Sequence, residues 1–266
     1  MKILNFLFLI LTVTSLTGCE EVIDLDLNSS DPKFVIEADL NDLSNEQIIR
    51  VSQTVNVDEP YSSKAVNDAI VHVTDVQGKQ HSFTSIGDGI YRSTNFRPTA
   101  NGKYSLRVNI GDEEFLSTTT RVPYVNVDSL GIMEEEIFNE YYFVLTFKFF
   151  DPKNVDNYYK YSYSVNGGPF KFGNVFSDKF NNGLYVTHEI TDRDEDTKFV
   201  VGDSIIVRRE CIAKDVYDFW SELKSINPGT AAPANPKSNI SNGSLGYFSV
   251  SSAKLYAVKI EQIRKD

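Results

Sequence analysis

Cysteine, histidine and basic charge are scarce in this chain, and long apolar runs are scarcer. Two cysteines, Cys19 and Cys211, occur in 266 residues, too few for a disulfide framework. Lys and Arg total 26 against 37 Asp and Glu, a net charge of -11. A chain that acidic cannot neutralise a row of phosphates, which excludes nucleic acid as a partner and argues against lying flat on an anionic bilayer. Beyond Cys19 no apolar stretch reaches the roughly 18 residues a spanning helix needs. The three histidines, His72, His81 and His188, stand far apart on strand-like segments without metal-ligand spacing. There is no G-x-S-x-G, H-E-x-x-H, P-loop or C-x-x-C, so no catalytic residue, cofactor or resident metal is expected.

What is present begins at the N-terminus. Met1-Lys2 is a basic start, Ile3 to Leu16 is apolar apart from Asn5 and small hydroxyl residues, and Leu16-Thr17-Gly18-Cys19 closes the stretch. A basic start, a short apolar core and a small-residue cleavage site make a secretory signal. The cysteine directly after Thr-Gly resembles the bacterial lipobox, in which the peptidase cuts before the cysteine and acyl chains are attached to it. The expectation is a signal peptide over residues 1–18 and a membrane partner reached through lipid on Cys19; two or more acyl chains anchor stably where one does not. Cys211 then has no disulfide partner and reads as a small buried hydrophobe, alternating with Ile205 and Val207. Glu20, Glu21, Asp24 and Asp26 make residues 19–32 an acidic tether. Acidic residues directly after a lipidated cysteine resemble the Bacteroidota signal for export to the outer face of the outer membrane.

The rest is mainly all-β by pattern. Phe34, Ile36, Ala38 and Leu40 alternate with polar residues, and so do Tyr104, Leu106, Val108 and Ile110. Turn signals such as Gln77-Gly78, Asn101-Gly102 and Asn166-Gly167-Gly168-Pro169 separate such runs. Residues 33–123 are expected to form an immunoglobulin-like sandwich. Ala69-Ile70-Val71-His72-Val73-Thr74-Asp75, then Gly89-Ile90-Tyr91, then Tyr104-Ser105-Leu106-Arg107-Val108 resemble the carboxypeptidase-regulatory or transthyretin-like pattern. Residues 124–266 are expected to form a second β-rich domain. Its first strand places Tyr141, Phe143, Leu145, Phe147 and Phe149 on one buried face, and Tyr159, Tyr161, Tyr163 and Val165 line the next.

One short helix is expected near Asp215–Ile226, capped by Asp215. Val216, Phe219, Trp220, Leu223 and Ile226 form its apolar stripe, and Asn227-Pro228-Gly229 stops it. Trp220 belongs to the core by that spacing. A long loop, Pro228 to Ser244, leads to closing strands at Gly246–Val250 and Leu255–Ile260. Long loops carry function and aromatic residues favour interfaces, which makes Tyr247 and Phe248 candidate partner contacts.

Asp192, Asp194, Asp196 and Asp203 echo the spacing of a calcium loop and are the one metal candidate. The sixth position is Thr197 instead of glycine, the last ligand is Asp instead of Glu, and flanking helices are lacking, so a solvated hairpin loop fits better.

The order of these pieces carries a resemblance. After the lipobox come Val22-Ile23-Asp24-Leu25-Asp26-Leu27 and Phe34-Val35-Ile36-Glu37-Ala38, then the Ala69-to-Tyr91 motif and Phe150-Asp151-Pro152 with Asn157-Tyr158-Tyr159. Val201-Gly202-Asp203-Ser204, Val216-Tyr217-Asp218-Phe219-Trp220 and Ser238-Asn239-Ile240 with Gly243 to Phe248 follow. The mature chain resembles the Bacteroidota outer-membrane lipoproteins of domain-of-unknown-function family 4249. The resemblance implies no catalytic residues. It implies a partner role beside a TonB-dependent outer-membrane receptor, in nutrient import or envelope assembly. The chain departs from the family at Ser241-Asn242-Gly243-Ser244, where the family favours Gly-Gly-Ala. The expected function is a non-enzymatic accessory or ligand-capturing subunit, anchored in the outer membrane and facing the exterior. A free-standing adhesin or glycan-binding module is the alternative. A surface hydrolase built on a pair of carboxylates is a third class.

Overall fold

Alternating apolar residues need a second layer to cover them, and a computed structural model shows how this chain supplies it. The structure describes residues 31–56, 63–137, 139–194, 196–226 and 235–261. Cys19 and the acidic tether up to residue 30 lie outside the described residues, as do Asn227 and residues 228–234 of the long loop. The fold is mainly β, with one helix among the described residues.

Eight strands come first: β1 (Phe34–Asn41), β2 (Gln47–Gln53), β3 (Lys64–Ala65), β4 (Ile70–Thr74), β5 (Gln80–Ser85), β6 (Ile90–Ser93), β7 (Gly102–Ile110) and β8 (Glu113–Arg121). Period-2 alternation buries Tyr104, Leu106, Val108 and Ile110 of β7 as expected, because successive side chains leave a strand on opposite faces. Strand β5 turns the corner between layers. Gln80–Phe83 pair with β4, while Thr84 and Ser85 pair with β6. The layers enclose a mostly aliphatic core that includes Ile36, Leu40, Ile49, Val73, Leu106 and Phe248.

Seven further strands follow: β9 (Ser129–Ile137), β10 (Glu140–Phe150), β11 (Tyr158–Val165), β12 (Lys171–Ser177), β13 (Tyr185–Ile190), β14 (Ser204–Ile212) and β15 (Leu245–Lys259). The helix α1 (Lys214–Ser225) lies between the last two. A second core, rich in rings, gathers Phe147, Phe149, Tyr159, Tyr161, Tyr163 and Phe199. A third, under α1, holds Val175, Ile212, Val216, Phe219 and Tyr247.

Strand β15 is a single run where two strands were expected. Its first half, Leu245–Ser251, pairs in parallel with β1. Its second half, Ser252–Lys259, pairs antiparallel with β14. The main sheet therefore runs continuously as β12-β11-β14-β15-β1-β2-β6-β5-β4-β7-β8, with β3 beside β2. Gly246 permits the close approach that starts this pairing. It has φ +87°, and a Cβ there would overlap the Ile36 carbonyl, so only glycine fits without a shift of the sheet. The chain passes from the first core to the second at Val122–Val127, whose apolar side chains already belong to the second.

Two local expectations need correction. Tyr141 is 53% exposed rather than buried. Among the described residues, β13 pairs with β10 only from Leu145 to Phe150, and the start of β10 pairs with β9 alone. Asp215 is not the N-cap of the helix. Ala213 occupies that position without a side-chain cap, and Asp215 sits in the first turn, accepting from Val216 N at 3.0 Å and from Asn239 Nδ2 at 2.6 Å. The carboxylate still lies near the positive end of the helix.

Candidate functional site

The residues singled out by sequence are dispersed. Asp192 accepts from the Tyr163 hydroxyl at 2.6 Å, the Thr197 hydroxyl at 2.8 Å and Asp194 N at 3.1 Å. Asp194 caps the next turn, accepting from Asp196 N at 3.0 Å. Asp203 accepts from Asn166 Nδ2 and Val200 N. These carboxylates fasten loop backbone, and among the described residues no three candidate ligands converge on a cation site. Asp203 and Asp196 do line a cleft of about 420 Å³ with Lys171, Lys198 and Asn166. His81 pairs with Asp75 at 2.8 Å and stacks on Phe96. Cys211 is 2% exposed, as its alternation implies.

Tyr247 and Phe248 are corrected as partner contacts. Phe248 is fully buried in the first core, and Tyr247 is 6% exposed under α1. The described end of the long loop explains this. Asn239 accepts from Phe248 N and donates to Phe248 O, both at 2.9 Å, and pins that segment to the sheet. Phe248 then faces the first core, and Tyr247 faces Phe219 and Trp220 of the helix, so neither ring is free to face outward.

Sequence reading missed two buried polar clusters in the second half. In one, Arg209 is 0% exposed. Among the described residues no carboxylate lies within ion-pair distance of it. Its guanidinium lies 4.4 Å from the Phe149 ring centroid and 4.6 Å from that of Tyr159. It donates to the Tyr161 hydroxyl at 2.8 Å and to Val125 O at 2.5 Å. Ring faces substitute for a counter-ion here. Burial and the Arg209 charge together hold His188 down to about 3. A neutral His188 stacks on Phe176, centroids 4.0 Å apart, with Nδ1 3.0 Å from the Tyr161 hydroxyl.

The other cluster lies on the opposite sheet face, beneath α1. Lys160 of β11 is 1% exposed and donates to both oxygens of Asp39 of β1, each at 2.8 Å. Glu210 of β14 stands opposite Lys160 in register, is 0% exposed, and holds Oε2 3.1 Å from Lys160 Nζ. Ser251 donates to Glu210 Oε1 at 2.8 Å. Arg208 reaches both carboxylates at 3.3 Å. The Trp220 and Tyr247 rings lie 5.5 and 5.8 Å from Lys160 Nζ. The signal for this cluster was the alternation Tyr-Lys-Tyr-Ser-Tyr in β11, which reads as a solvated face until a helix is laid over it.

On the surface, the far end of β10, the start of β13 and two adjoining loops present apolar side chains. Phe150 is 67% exposed, Val155 54%, Phe180 84%, Leu184 54% and Tyr185 48%. The Phe150 and Tyr185 rings contact each other, with centroids 4.7 Å apart. The loops are tied together, since Asn154 N donates to Asn182 Oδ1 at 2.7 Å, Asn182 Nδ2 to Val155 O at 3.1 Å, and Asp151 N to Leu184 O at 2.9 Å. The buried Asp151 anchors the base by accepting from the Tyr159 hydroxyl at 2.5 Å. Burial pushes the Asp151 carboxyl above its ordinary range, and the Asp178 charge reinforces this. Grouped exposed rings on pre-tied loops are the usual makings of a contact surface.

Comparison with known proteins adds a family and no established activity. A family model described as a domain of unknown function, DUF4249, matches residues 20–256. No curated protein matches the chain. Among solved structures, the BSP domain of a biofilm-associated protein aligns at 10% identity and a TM-score of 0.25, over 89% of this chain and 30% of that one. Salmonella alpha-2-macroglobulin aligns at 9% identity and a TM-score of 0.26, over 86% of this chain and 15% of that one. The chain thus spans less than a third of either structure, and at these scores neither bears on its fold or role.

Proposed function

The chain belongs to the DUF4249 family, and on that premise we propose that it is a non-enzymatic, lipid-anchored protein of the outer membrane that serves as an accessory or ligand-capturing subunit of a TonB-dependent receptor. The observation that carries the binding role is the loop platform of Phe150, Val155, Phe180, Leu184 and Tyr185. Rings held out on strand ends and on loops tied by hydrogen bonds lose little entropy on docking, and they make good anchors for a protein partner. The lipobox-like Leu16-Thr17-Gly18-Cys19 and the acidic residues after it support the anchor and its outward address. Tethering both proteins in one membrane raises their effective concentration, so a modest interface suffices.

Affinity purification of the tagged native chain in mild detergent tests this reading. A transporter is expected to co-purify near one-to-one, and Phe150→Ser with Phe180→Ser is expected to release it without changing the circular dichroism spectrum. A chain that emerges alone yet binds purified glycan overturns the subunit reading in favour of an adhesin. Cys19→Ser is expected to move the protein out of the outer-membrane fraction, and a mature-length variant that stays there refutes the anchor.

A further inference from the structure

The Lys160 cluster has the composition and geometry of a reacting group, and nothing in the proposed function uses it. We propose that Lys160 and Asp39 form an intramolecular isopeptide bond, with Glu210 carrying the proton. Lys160 Nζ is held at 2.8 Å from both oxygens of one carboxyl. A nitrogen held against both oxygens needs only to swing out of the carboxylate plane to face the carbon between them. Glu210 Oε2, at 3.1 Å from the same nitrogen, is the nearest proton acceptor outside the reacting carboxyl. Lys160 and Glu210 are almost wholly out of water, and the flanking Trp220 and Tyr247 rings keep the surroundings apolar.

The chemistry balances without any other reactant. Lys160 and Arg208 here face Asp39 and Glu210. Burial raises the Asp39 carboxyl, but the charges of Lys160 and then Arg208 outweigh it and hold Asp39 below its ordinary range. The proton must therefore move within the cluster. Glu210 takes one proton from the Lys160 ammonium and passes it to Asp39 Oδ1, so that a neutral amine faces a neutral carboxylic acid. The lone pair attacks Cγ of Asp39, and the oxyanion forms where Arg208 Nη2 reaches Oδ2 at 3.3 Å, a donor aimed at developing charge. A nitrogen proton then passes through Glu210 to the Oδ1 hydroxyl, the C–O bond breaks, and one molecule of water leaves. Ammonium and carboxylate thus become amide and water, with no oxidant or reductant. The driving force is the loss of a buried ion pair, whose desolvation is costly, in favour of a neutral amide. The bond joins strands whose residues are 121 positions apart and ties the first core covalently to the second.

Protease digestion of the full chain followed by peptide mass spectrometry tests the proposal. The segments containing Asp39 and Lys160 are expected as one branched peptide, lighter than their sum by one water, with no tryptic cleavage after Lys160. Lys160→Arg is expected to yield two linear peptides. Glu210→Gln keeps the shape but cannot accept the proton, and is also expected to yield linear peptides from a chain with the native circular dichroism spectrum. Unmodified, separate peptides from the wild-type protein overturn the proposal, even if a variant fails to fold. A branched peptide from Glu210→Gln at wild-type yield overturns the role given to Glu210.

Discussion

The two halves of this molecule solve the same packing problem with different materials. The first core is largely aliphatic, built from residues such as Ile36, Val51, Val73 and Val108. Its buried cation, Arg121, has a carboxylate partner in Asp42 and a second acceptor in Asn101. The second core is built from rings, and its buried cation, Arg209, is caged by Phe149, Tyr159 and Tyr161 with hydroxyl and carbonyl acceptors. Branched aliphatic side chains fill a pleated interior at small cost in conformational freedom. Rings bury more area each, and each hydroxyl brought inside needs a partner. That demand explains why Tyr159, Tyr161 and Tyr163 end on Asp151, His188 with Arg209, and Asp192. The ring-built half therefore loses more when a large buried side chain is truncated, and the aliphatic half loses more when its buried cation, which has a carboxylate partner, is removed.

Four measurements would break or sharpen that contrast. The largest effect belongs to the ring-built core. Phe147→Ala is expected to lower stability by about 4 kcal/mol, and Leu106→Ala in the first core by about 3 kcal/mol, both by urea unfolding. Equal losses would say the two cores tolerate cavities alike. Next come the buried cations. Arg121→Met orphans the Asp42 carboxylate and is expected to cost about 3 kcal/mol, whereas Arg209→Met orphans only neutral acceptors and is expected to cost about 1 kcal/mol. The reverse order would mean that the ring cage does not substitute for a counter-ion.

The third measurement is pH dependence. His188 titrates at about 3 in the folded chain, against an ordinary value of 6.5. Below that ordinary value the unfolded chain takes up a proton that the folded chain refuses. The stability present above 6.5 is therefore lost progressively as pH falls toward 3. Thermal unfolding of His188→Phe is expected to show a flatter decline of Tm between neutral and mildly acidic pH than the wild type. An unchanged slope would remove His188 from the account. The smallest effect is expected at the loop platform, where Phe180→Ser should change stability by less than about 0.5 kcal/mol, because the ring is exposed. A larger loss would make that ring structural.

Legibility followed the range of the interactions. Strand β7 and the Tyr159–Tyr161–Tyr163 face were readable because alternation is local and one residue of slip would expose the whole set. The helix was readable from its stripe, to within one residue at each end. Tyr141 was misread because alternation marks a face without saying how far a neighbouring strand extends. Tyr247 and Phe248 were misread for a related reason: that part of β15 pairs with β1, some 210 positions away in the chain, and the helix covers Tyr247.

The Lys160 cluster was the least legible, since its members come from β1, β11 and β14 and look like solvent-facing residues of amphipathic strands. By itself the sequence determined the β class, the strand faces, the helix and a lipobox-like start, all set by periods of two or 3.6 residues or by short motifs. Tertiary structure decided which polar faces would be covered. A parallel pairing of β1 with β15 and a helix laid on the sheet turn Asp39, Lys160 and Glu210 from a solvated surface into a desolvated cluster, and desolvation is what gives such charges their chemistry.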